Sequence, residues 1–133
     1  MEIKKYNSPE LARPIGNYSQ GAVVSSGKLV FVAGQVALDA SGNLVGKGDM
    51  AVQVRQALSN LKIALEAGGA KLETVVKTTT YVTSIDDYHR GGAEIKKEFF
   101  PADPPPGTLV EVKRLSHPDF LVEIEAVALA RVE

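Results

Sequence analysis

The stretch "FLVEIEAVALA" (residues 120–130) decides the fold, because both of its faces are apolar. Successive residues of a β-strand point to opposite sides of a sheet. One face carries small or branched apolar residues: Val122, Ile124, Ala126 and Ala128. The other face carries Leu121, Val127 and Leu129 around Glu123 and Glu125. The pattern predicts a strand that is covered on both sides.

Two hairpins are predicted around the helical part of the chain. The segment "TLVEVKRL" (108–115) comes before the strand expected at 120–130. Between them, "SHPD" (116–119) has the residues of a hairpin turn. Nearer the N-terminus, Ser25, Ser26 and Gly27 separate β-branched runs at about 19–25 and 28–33. Each pair is therefore expected to form neighbouring antiparallel strands.

Two helices and one further strand lie between these hairpins. From Met50 to Ala67, apolar residues recur at helical spacing, with Asp49 as a candidate N-cap and a glycine pair as the stop. "TVVKTTTYVT" (74–83) has the β-branched composition of a strand. A second helix is expected at about 86–98, where Gly91 and Gly92 indicate either a locally weak helix or a group that approaches its backbone closely.

The predicted order is ββ-α-β-α-ββ in a single domain, residues 1–133. It corresponds to an α+β fold with a mostly antiparallel six-stranded sheet and both helices on one face. Two helices cover only one side of such a sheet, so the apolar second face predicts packing against other subunits. The alternative is that apolar side chains exposed singly need no partner.

Composition narrows the classes of function. The 133 residues carry 15 Lys and Arg against 16 Asp and Glu, a net charge of −1 without a basic block, which disfavours nucleic acid as a partner. No apolar run suggests a membrane span or signal peptide, so a cytoplasmic protein is expected. The absence of cysteine excludes thiolate chemistry, and His89 and His117 lack metal-ligand spacing. Neither a cofactor nor a metal is predicted.

The strongest candidates for catalytic residues are the two glutamates of residues 120–130. Glu123 and Glu125 share one face of an otherwise apolar strand, where a carboxylate can act as a general base or orient water. The alternative is a solvated pair, or one that is ion-paired with Lys113.

An ordered set of segments resembles the RidA (YjgF) family of enamine and imine deaminases. The segments are "RPIGNYSQG", "VFVAGQVALDASGNLV", "QVRQALSNLKIALEAGGA", "VVKTTTYVTSIDDY" and "GTLVEVKRL" with "LVEIEAVA". The resemblance implies a chorismate-mutase-like subunit, a homotrimeric barrel and small-molecule pockets at the subunit interfaces. It also implies cofactor-free hydrolysis of 2-imino and 2-aminoacrylate-type acids to 2-oxo acids and ammonia.

The resemblance also assigns the site residues. Tyr18, Gly34, the backbone of Leu109 and the water-positioning Glu123 match the family pattern. Three positions depart from it: Gly92 replaces an asparagine, Ala33 a serine, and Gly107 the arginine that clamps the substrate carboxylate.

The loss of this arginine predicts weak binding of acidic substrates. A bidentate arginine–carboxylate contact contributes roughly 2–5 kcal/mol, so the loss corresponds to at least a tenfold effect. Lys113 lies about 20 Å along the strand, leaving Arg13 or Arg90 as possible replacements. We therefore expect a roomier, less cationic pocket in an imine hydrolase with an altered substrate. The alternatives are a non-catalytic trimeric binding protein and, ranked last, an endoribonuclease.

Overall fold

A computed structural model describes residues 2–132. Its first part contains strands β1 (Ile3–Tyr6), β2 (Gly21–Val24) and β3 (Lys28–Gln35), followed by helix α1 (Met50–Ala67). A 3-10 turn (Leu72–Thr74) then leads into β4 (Val75–Val82).

The second part begins with a helical region of three segments: α2 (Ile85–Asp87), a π turn (Tyr88–Gly92) and α3 (Ala93–Phe99). Strands β5 (Gly107–Glu111) and β6 (Val122–Ala130) follow. The α+β class is confirmed, as are the two helical regions and the strand expected at 74–83. Strand β1 was not predicted, because "IKKY" has too few apolar residues to show a strand pattern.

The prediction of one six-stranded sheet is wrong. The described residues form a two-stranded sheet, β1-β2, and a four-stranded sheet in the order β3-β6-β4-β5. Strand β2 pairs with β1 rather than with β3. The turn before β3 packs on the end of β6 instead, where a Cβ on Gly27 would lie 3.1 Å from the carbonyl oxygen of Ala130.

The predicted hairpin of β5 and β6 is also wrong. Strand β5 runs parallel to β4, and β6 lies between β3 and β4, antiparallel to both. A parallel pair needs a crossover connection, and the second helical region supplies it between β4 and β5. The turn residues of "SHPD" specify a reversal of the chain but do not choose the partner strand.

Strand β6 has the central place that its two apolar faces indicated. Val122, Ile124 and Ala128 are completely buried against the helices. Buried Gln53 of α1 anchors the start of this strand, because its amide donates to the carbonyl oxygen of Asp119 at 3.0 Å and accepts from the N–H of Leu121 at 2.9 Å. The sheet and α1 are thereby held in one register.

Helix α1 begins and ends as predicted. The Asp49 carboxylate caps it by accepting from the N–H of Val52 at 3.1 Å. After the helix, Gly69 has a φ of +84°, a conformation that favours glycine.

The glycine pair in the π turn fits closely against α1, which is one of the two expected alternatives. A Cβ on Gly92 would lie 2.8 Å from Val54 Cγ2 and 2.8 Å from Tyr88 Cδ1. A Cβ on Gly91 would lie 3.3 Å from Ala51 Cβ. Both helical regions therefore lie together on one face of the four-stranded sheet.

The opposite face of the sheet, here called the outer face, is apolar and exposed along β3. Leu29 is 58% exposed and Phe31 is 73% exposed, and Val110 on β5 is 36% exposed. None of the helices within residues 2–132 is long and apolar enough to cross a membrane.

Candidate functional site

A cavity of about 630 Å³ lies between the second helical region and the β4-β5 edge of the sheet. Residues 15–18 close one side, and Thr80, Gly107 and Leu109 form the floor. Tyr88 and Lys96 face it from the helical region. The cavity thus lies on the inner, helix-bearing face of the sheet.

The proline run fixes one wall of this cavity. The carbonyl oxygens of Pro104 and Pro105 accept from the hydroxyl and the N–H of Ser19, at 2.6 and 3.2 Å. The carbonyl oxygen of Pro106 accepts from the N–H of Thr78 at 3.0 Å. These bonds hold the loop that carries Tyr18 beside the start of β5.

At the floor of the cavity, Gly107 leaves space for the ammonium group of Lys96. A Cβ on Gly107 would lie 3.0 Å from Thr78 Oγ1, 3.4 Å from Lys96 Nζ and 3.7 Å from Tyr18 Cβ. A cation therefore lies beside the position of the missing arginine, although it is neither of the two arginines considered as replacements. Lys96 comes from helix α3, and the absence of a side chain at 107 leaves room for it.

The ammonium of Lys96 is poorly compensated. Its hydrogen bond to the carbonyl oxygen of Asn17 is long, at 3.4 Å. No ion pair within 4.0 Å among residues 2–132 includes it. Burial, and secondarily repulsion by Lys77, lower the pKa of Lys96. Lys77 itself donates to Thr108 Oγ1 at 2.7 Å.

Two threonine hydroxyls on the inner face also lack a partner. Thr78 and Thr80 are 0% and 2% exposed, and neither Oγ1 makes a hydrogen bond within the described chain. Nearby, burial raises the pKa of Tyr88 to about 12, so that its hydroxyl stays protonated at neutral pH.

Glu123 lies on the outer face, away from this cavity. It is next to Ile124, whose side chain is buried on the inner face, so the two point in opposite directions. The carboxylate lies over Gly34, where a Cβ would be 2.6 Å from Glu123 Cδ. Ala33 and Gly34 fall in the bulge of β3 beside β6.

Glu125 forms part of the same outer surface. It accepts from the hydroxyl of Tyr81 at 3.0 Å, and this bond is the main reason why the pKa of Tyr81 is raised. The expected alternative, an ion pair with Lys113, is not among the ion pairs of residues 2–132.

Comparisons with known proteins assign the family. The family described as Endoribonuclease L-PSP matches residues 9–130. A 2-iminobutanoate/2-iminopropanoate deaminase of Salmonella typhimurium is 38% identical over 119 residues, covering 88% of this chain and 90% of that protein. The chain belongs to the RidA (YjgF) family.

Other relatives agree with this assignment. A RutC family protein of Pyrococcus horikoshii is 40% identical over 116 residues, covering 87% of this chain and 89% of that protein. A crystal structure of a Rid family protein of unknown function from Yersinia pestis superposes with a TM-score of 0.86 at 36% identity, covering 97% of this chain and 99% of that one.

The residues assigned through the RidA resemblance form two groups. Tyr18, Gly107 and Leu109 line the cavity together. Ala33, Gly34 and Glu123 lie on the other side of the sheet. Gly92 belongs to neither group, because it is the last residue of the π turn and packs against Tyr88 and Val54.

Neither arginine considered as a replacement lines the cavity. Arg90 pairs with Asp87 on the surface, and Arg13 is exposed. His89 lies at the cavity rim and contacts the ring of Tyr88 edge-on, with ring centroids 6.1 Å apart. Within the described part of the chain, no group of three or more His, Cys, Asp or Glu residues is placed to hold a metal ion.

Sequence reasoning missed Lys96 because of the π turn. Tyr88 and Lys96 are eight residues apart, which corresponds to about 80° around a regular α-helix. A π turn takes up an extra residue and so reduces that angle, and both side chains reach the cavity. The paired glycines were the one signal of this irregularity.

Proposed function

We propose that this RidA family protein hydrolyses small imines or enamines to carbonyl compounds and ammonia without a cofactor. The observation that carries the proposal is that one cavity gathers Tyr18, Gly107 and Leu109, the residues matching the family's substrate-binding positions. The name of the Salmonella typhimurium relative, an iminobutanoate and iminopropanoate deaminase, supports the same reaction class. Water adds to the C=N carbon, a proton passes to the nitrogen, and ammonia leaves.

In this proposal the water is positioned by Glu123 of an adjoining subunit. Within one chain Glu123 and the cavity lie on opposite faces, so a neighbouring copy is needed to bring them together. The exposed apolar side chains of Leu29 and Phe31 on the outer face support such an assembly, which we propose is a homotrimer with the ligand at its interfaces.

Substrate preference should differ from that of relatives that have an arginine at position 107. An arginine makes two parallel bonds to a carboxylate, whereas a lysine acts as a point charge. We expect turnover of 2-aminoacrylate-type acids to be weaker than in the Salmonella typhimurium deaminase, by about tenfold or more in kcat/KM.

A hydrolysis assay tests the proposal directly. 2-Iminopropanoate is generated from alanine with an amino-acid oxidase, and semicarbazide traps the imine that escapes hydrolysis. The wild type should reduce trapping, and Glu123→Gln should lower this effect about a hundredfold, the usual contribution of a general base. Glu66→Gln, at an exposed position on α1, is the matched control. Wild-type protein that leaves trapping unchanged at any concentration would contradict the proposal.

The second candidate is a trimeric small-molecule-binding protein with no catalysis. Gly107 and Gly92, which stand where the family pattern has polar residues, favour it. It predicts stabilisation by small ligands together with hydrolysis no faster than in buffer, an outcome that the same assay and a thermal-shift series distinguish.

The endoribonuclease named in the family description is not the function we propose. Phosphate binding depends on concentrated positive charge, and the chain has a net charge of −1. RNA binding that weakened steeply with added salt would reverse this ranking.

A further inference from the structure

Lys96 and Thr80 line the cavity, and the Thr78 hydroxyl lies at its floor, 3.0 Å from where a Cβ on Gly107 would stand; the described chain does not fully satisfy these polar groups. An ammonium has three donors, and the only hydrogen bond of Lys96 among the described residues is the long contact to Asn17. A buried hydroxyl without a partner destabilises the fold unless a ligand completes it. Unused donors that converge on one cavity indicate a ligand that accepts hydrogen bonds and carries negative charge.

The three groups border one region of the floor. Lys96 Nζ and Thr78 Oγ1 lie 3.4 and 3.0 Å from the point where a Cβ on Gly107 would stand. Thr80 is two residues further along β4, so its side chain is on the same face as that of Thr78. Its register partner is Leu109, another residue of the floor.

The charges around this region also favour an anion, because Lys96 and Lys97 line the cavity with one carboxylate, Glu94, and Lys77 lies nearby. Lys77 is close enough to Lys96 for their repulsion to disfavour the charged amine. A bound carboxylate would offset that repulsion and would stabilise the protonated form of Lys96, which burial disfavours. The neighbouring walls from Ile85, Tyr88 and Ala93 are mainly apolar, which suits a short hydrocarbon group next to the acid.

We propose that Lys96, Thr78 and Thr80 form an anion subsite that holds the carboxylate of a small 2-imino or 2-oxo acid. This inference rests on the proposed function for the identity of the acid, but binding is measured without turnover. Lys96 is here a specificity-determining residue, and Gly107 is the position that admits it.

Lysine at 96 and a side chain at 107 compete for the same space. Any residue larger than glycine at 107 places its Cβ 3.4 Å from the ammonium, which is tighter than most such contacts. The two positions therefore form an exchangeable pair. A long side chain at 107, such as an arginine, would extend into the space that the Lys96 ammonium occupies in this chain.

Calorimetry with pyruvate, and with pyruvamide as its uncharged analogue, tests the subsite. Lys96→Met should weaken pyruvate binding by about tenfold or more and leave pyruvamide binding unchanged. Lys96→Arg should keep most of the pyruvate affinity. Lys62→Met, at an exposed position on α1, should behave like the wild type. Equal losses for both ligands, or unchanged pyruvate binding by folded Lys96→Met, would overturn the inference.

Moving the cation from position 96 to position 107 gives a second, independent test. Gly107→Arg alone should not improve pyruvate binding, whereas Gly107→Arg combined with Lys96→Ala should recover what Lys96→Ala loses. If the double variant binds pyruvate no better than Lys96→Ala alone, the carboxylate is not held here. Inorganic phosphate that binds as tightly as pyruvate would overturn the assignment to an organic acid.

Failure of this inference and failure of the proposed function are separable. Binding of pyruvate through Lys96 without hydrolysis of 2-iminopropanoate would contradict the proposed function but support the anion subsite. Hydrolysis that is insensitive to Lys96→Met would do the reverse.

Discussion

At the scale of single residues, the cavity depends on what Gly107 lacks and on what Lys96 supplies. The glycine leaves a gap between a threonine hydroxyl and an ammonium, and nothing among residues 2–132 neutralises that ammonium within 4.0 Å. Unsatisfied buried polar groups reduce stability, so the site is expected to be maintained at some cost to the fold.

The hydroxyl of Thr80 should show this cost. Thr80→Val keeps the side-chain shape and removes a buried oxygen without a partner, so the free energy of unfolding should rise by about 1 kcal/mol. Urea denaturation measures the change, with Thr79→Val on the outer face as control. Loss of stability in Thr80→Val would show that a partner, such as a tightly held water, already satisfies the hydroxyl.

Anion binding should depend on the protonation of Lys96. Burial and Lys77 place its pKa below the ordinary 10.5, and only the charged amine attracts a carboxylate. Pyruvate affinity should therefore be constant at neutral pH and fall as the pH rises through the lowered pKa of Lys96, before 10.5 is reached. Lys96→Arg should extend the plateau to higher pH, because a guanidinium does not titrate there. A plateau in the wild type that continues beyond pH 10.5 would contradict this.

Each element that packs around the Lys96 amine also contributes titratable groups. They are Lys77 on β4, Tyr18 in the loop, Tyr88 and His89 in the π turn, and Glu94 and Lys97 on α3. Tyr88, with its pKa of about 12, does not titrate in this window. Because the arginine variant shares all these neighbours, the difference between the two pH profiles isolates Lys96.

At the scale of elements, the π turn positions the site. It brings Tyr88 and Lys96 to the same cavity and lets the helical region approach α1 through two glycines. Residues that interrupt a regular helix in this way often occur at functional sites. The parallel pairing of β4 and β5 then places Gly107 opposite Thr78, directly below the helical lysine.

Filling the closer of the two glycines should loosen this contact. Gly92→Ala places a methyl group 2.8 Å from both Val54 and Tyr88, so it should lower the free energy of unfolding by about 1–3 kcal/mol. Gly91→Ala, with its nearest contact at 3.3 Å, should cost less. Thermal unfolding of both variants checks the order, and Val54→Ala should partly rescue Gly92→Ala. The opposite order would mean that the helical region shifts freely on α1.

At the scale of the whole molecule, the outer face of the four-stranded sheet is the surface that the proposed assembly would use. Leu29 and Phe31 expose apolar surface there, next to the strand that carries Glu123 and Glu125. Contiguous apolar surface of this kind usually marks an interface. The proposed trimer would cover it and would supply Glu123 to the cavity.

A charge placed on this face should disrupt the assembly. Phe31→Glu should convert a trimer into monomers, because a carboxylate is costly to bury in an apolar contact. Analytical ultracentrifugation gives the mass directly. Ile63→Glu is the control, since Ile63 is 66% exposed on α1, on the opposite side of the sheet. A wild-type protein that sediments as a monomer would refute the assembly and, with it, the contribution of Glu123 from a neighbour.

The sequence alone determined the elements that depend on local chemistry. The apolar spacing and caps of α1, the β-branched run of β4 and the two apolar faces of β6 are all visible in residues a few positions apart. The family resemblance pointed to Tyr18, Gly107 and Leu109, which meet in one cavity. Local patterns sufficed because propensity, capping and face alternation act over one or two turns of chain.

Only the tertiary structure decided which strands pair and which cation reaches the cavity. Turn residues at 25–27 and 116–119 predicted neighbours along the chain, but pairing follows from burial of whole faces, which joins β3 to β6 and β4 to β5. Lys96 and Gly107 are eleven residues apart in sequence, and they come together because the π turn changes the direction in which the following helical side chains point. Such contacts arise from packing between distant segments, so no local pattern contains them.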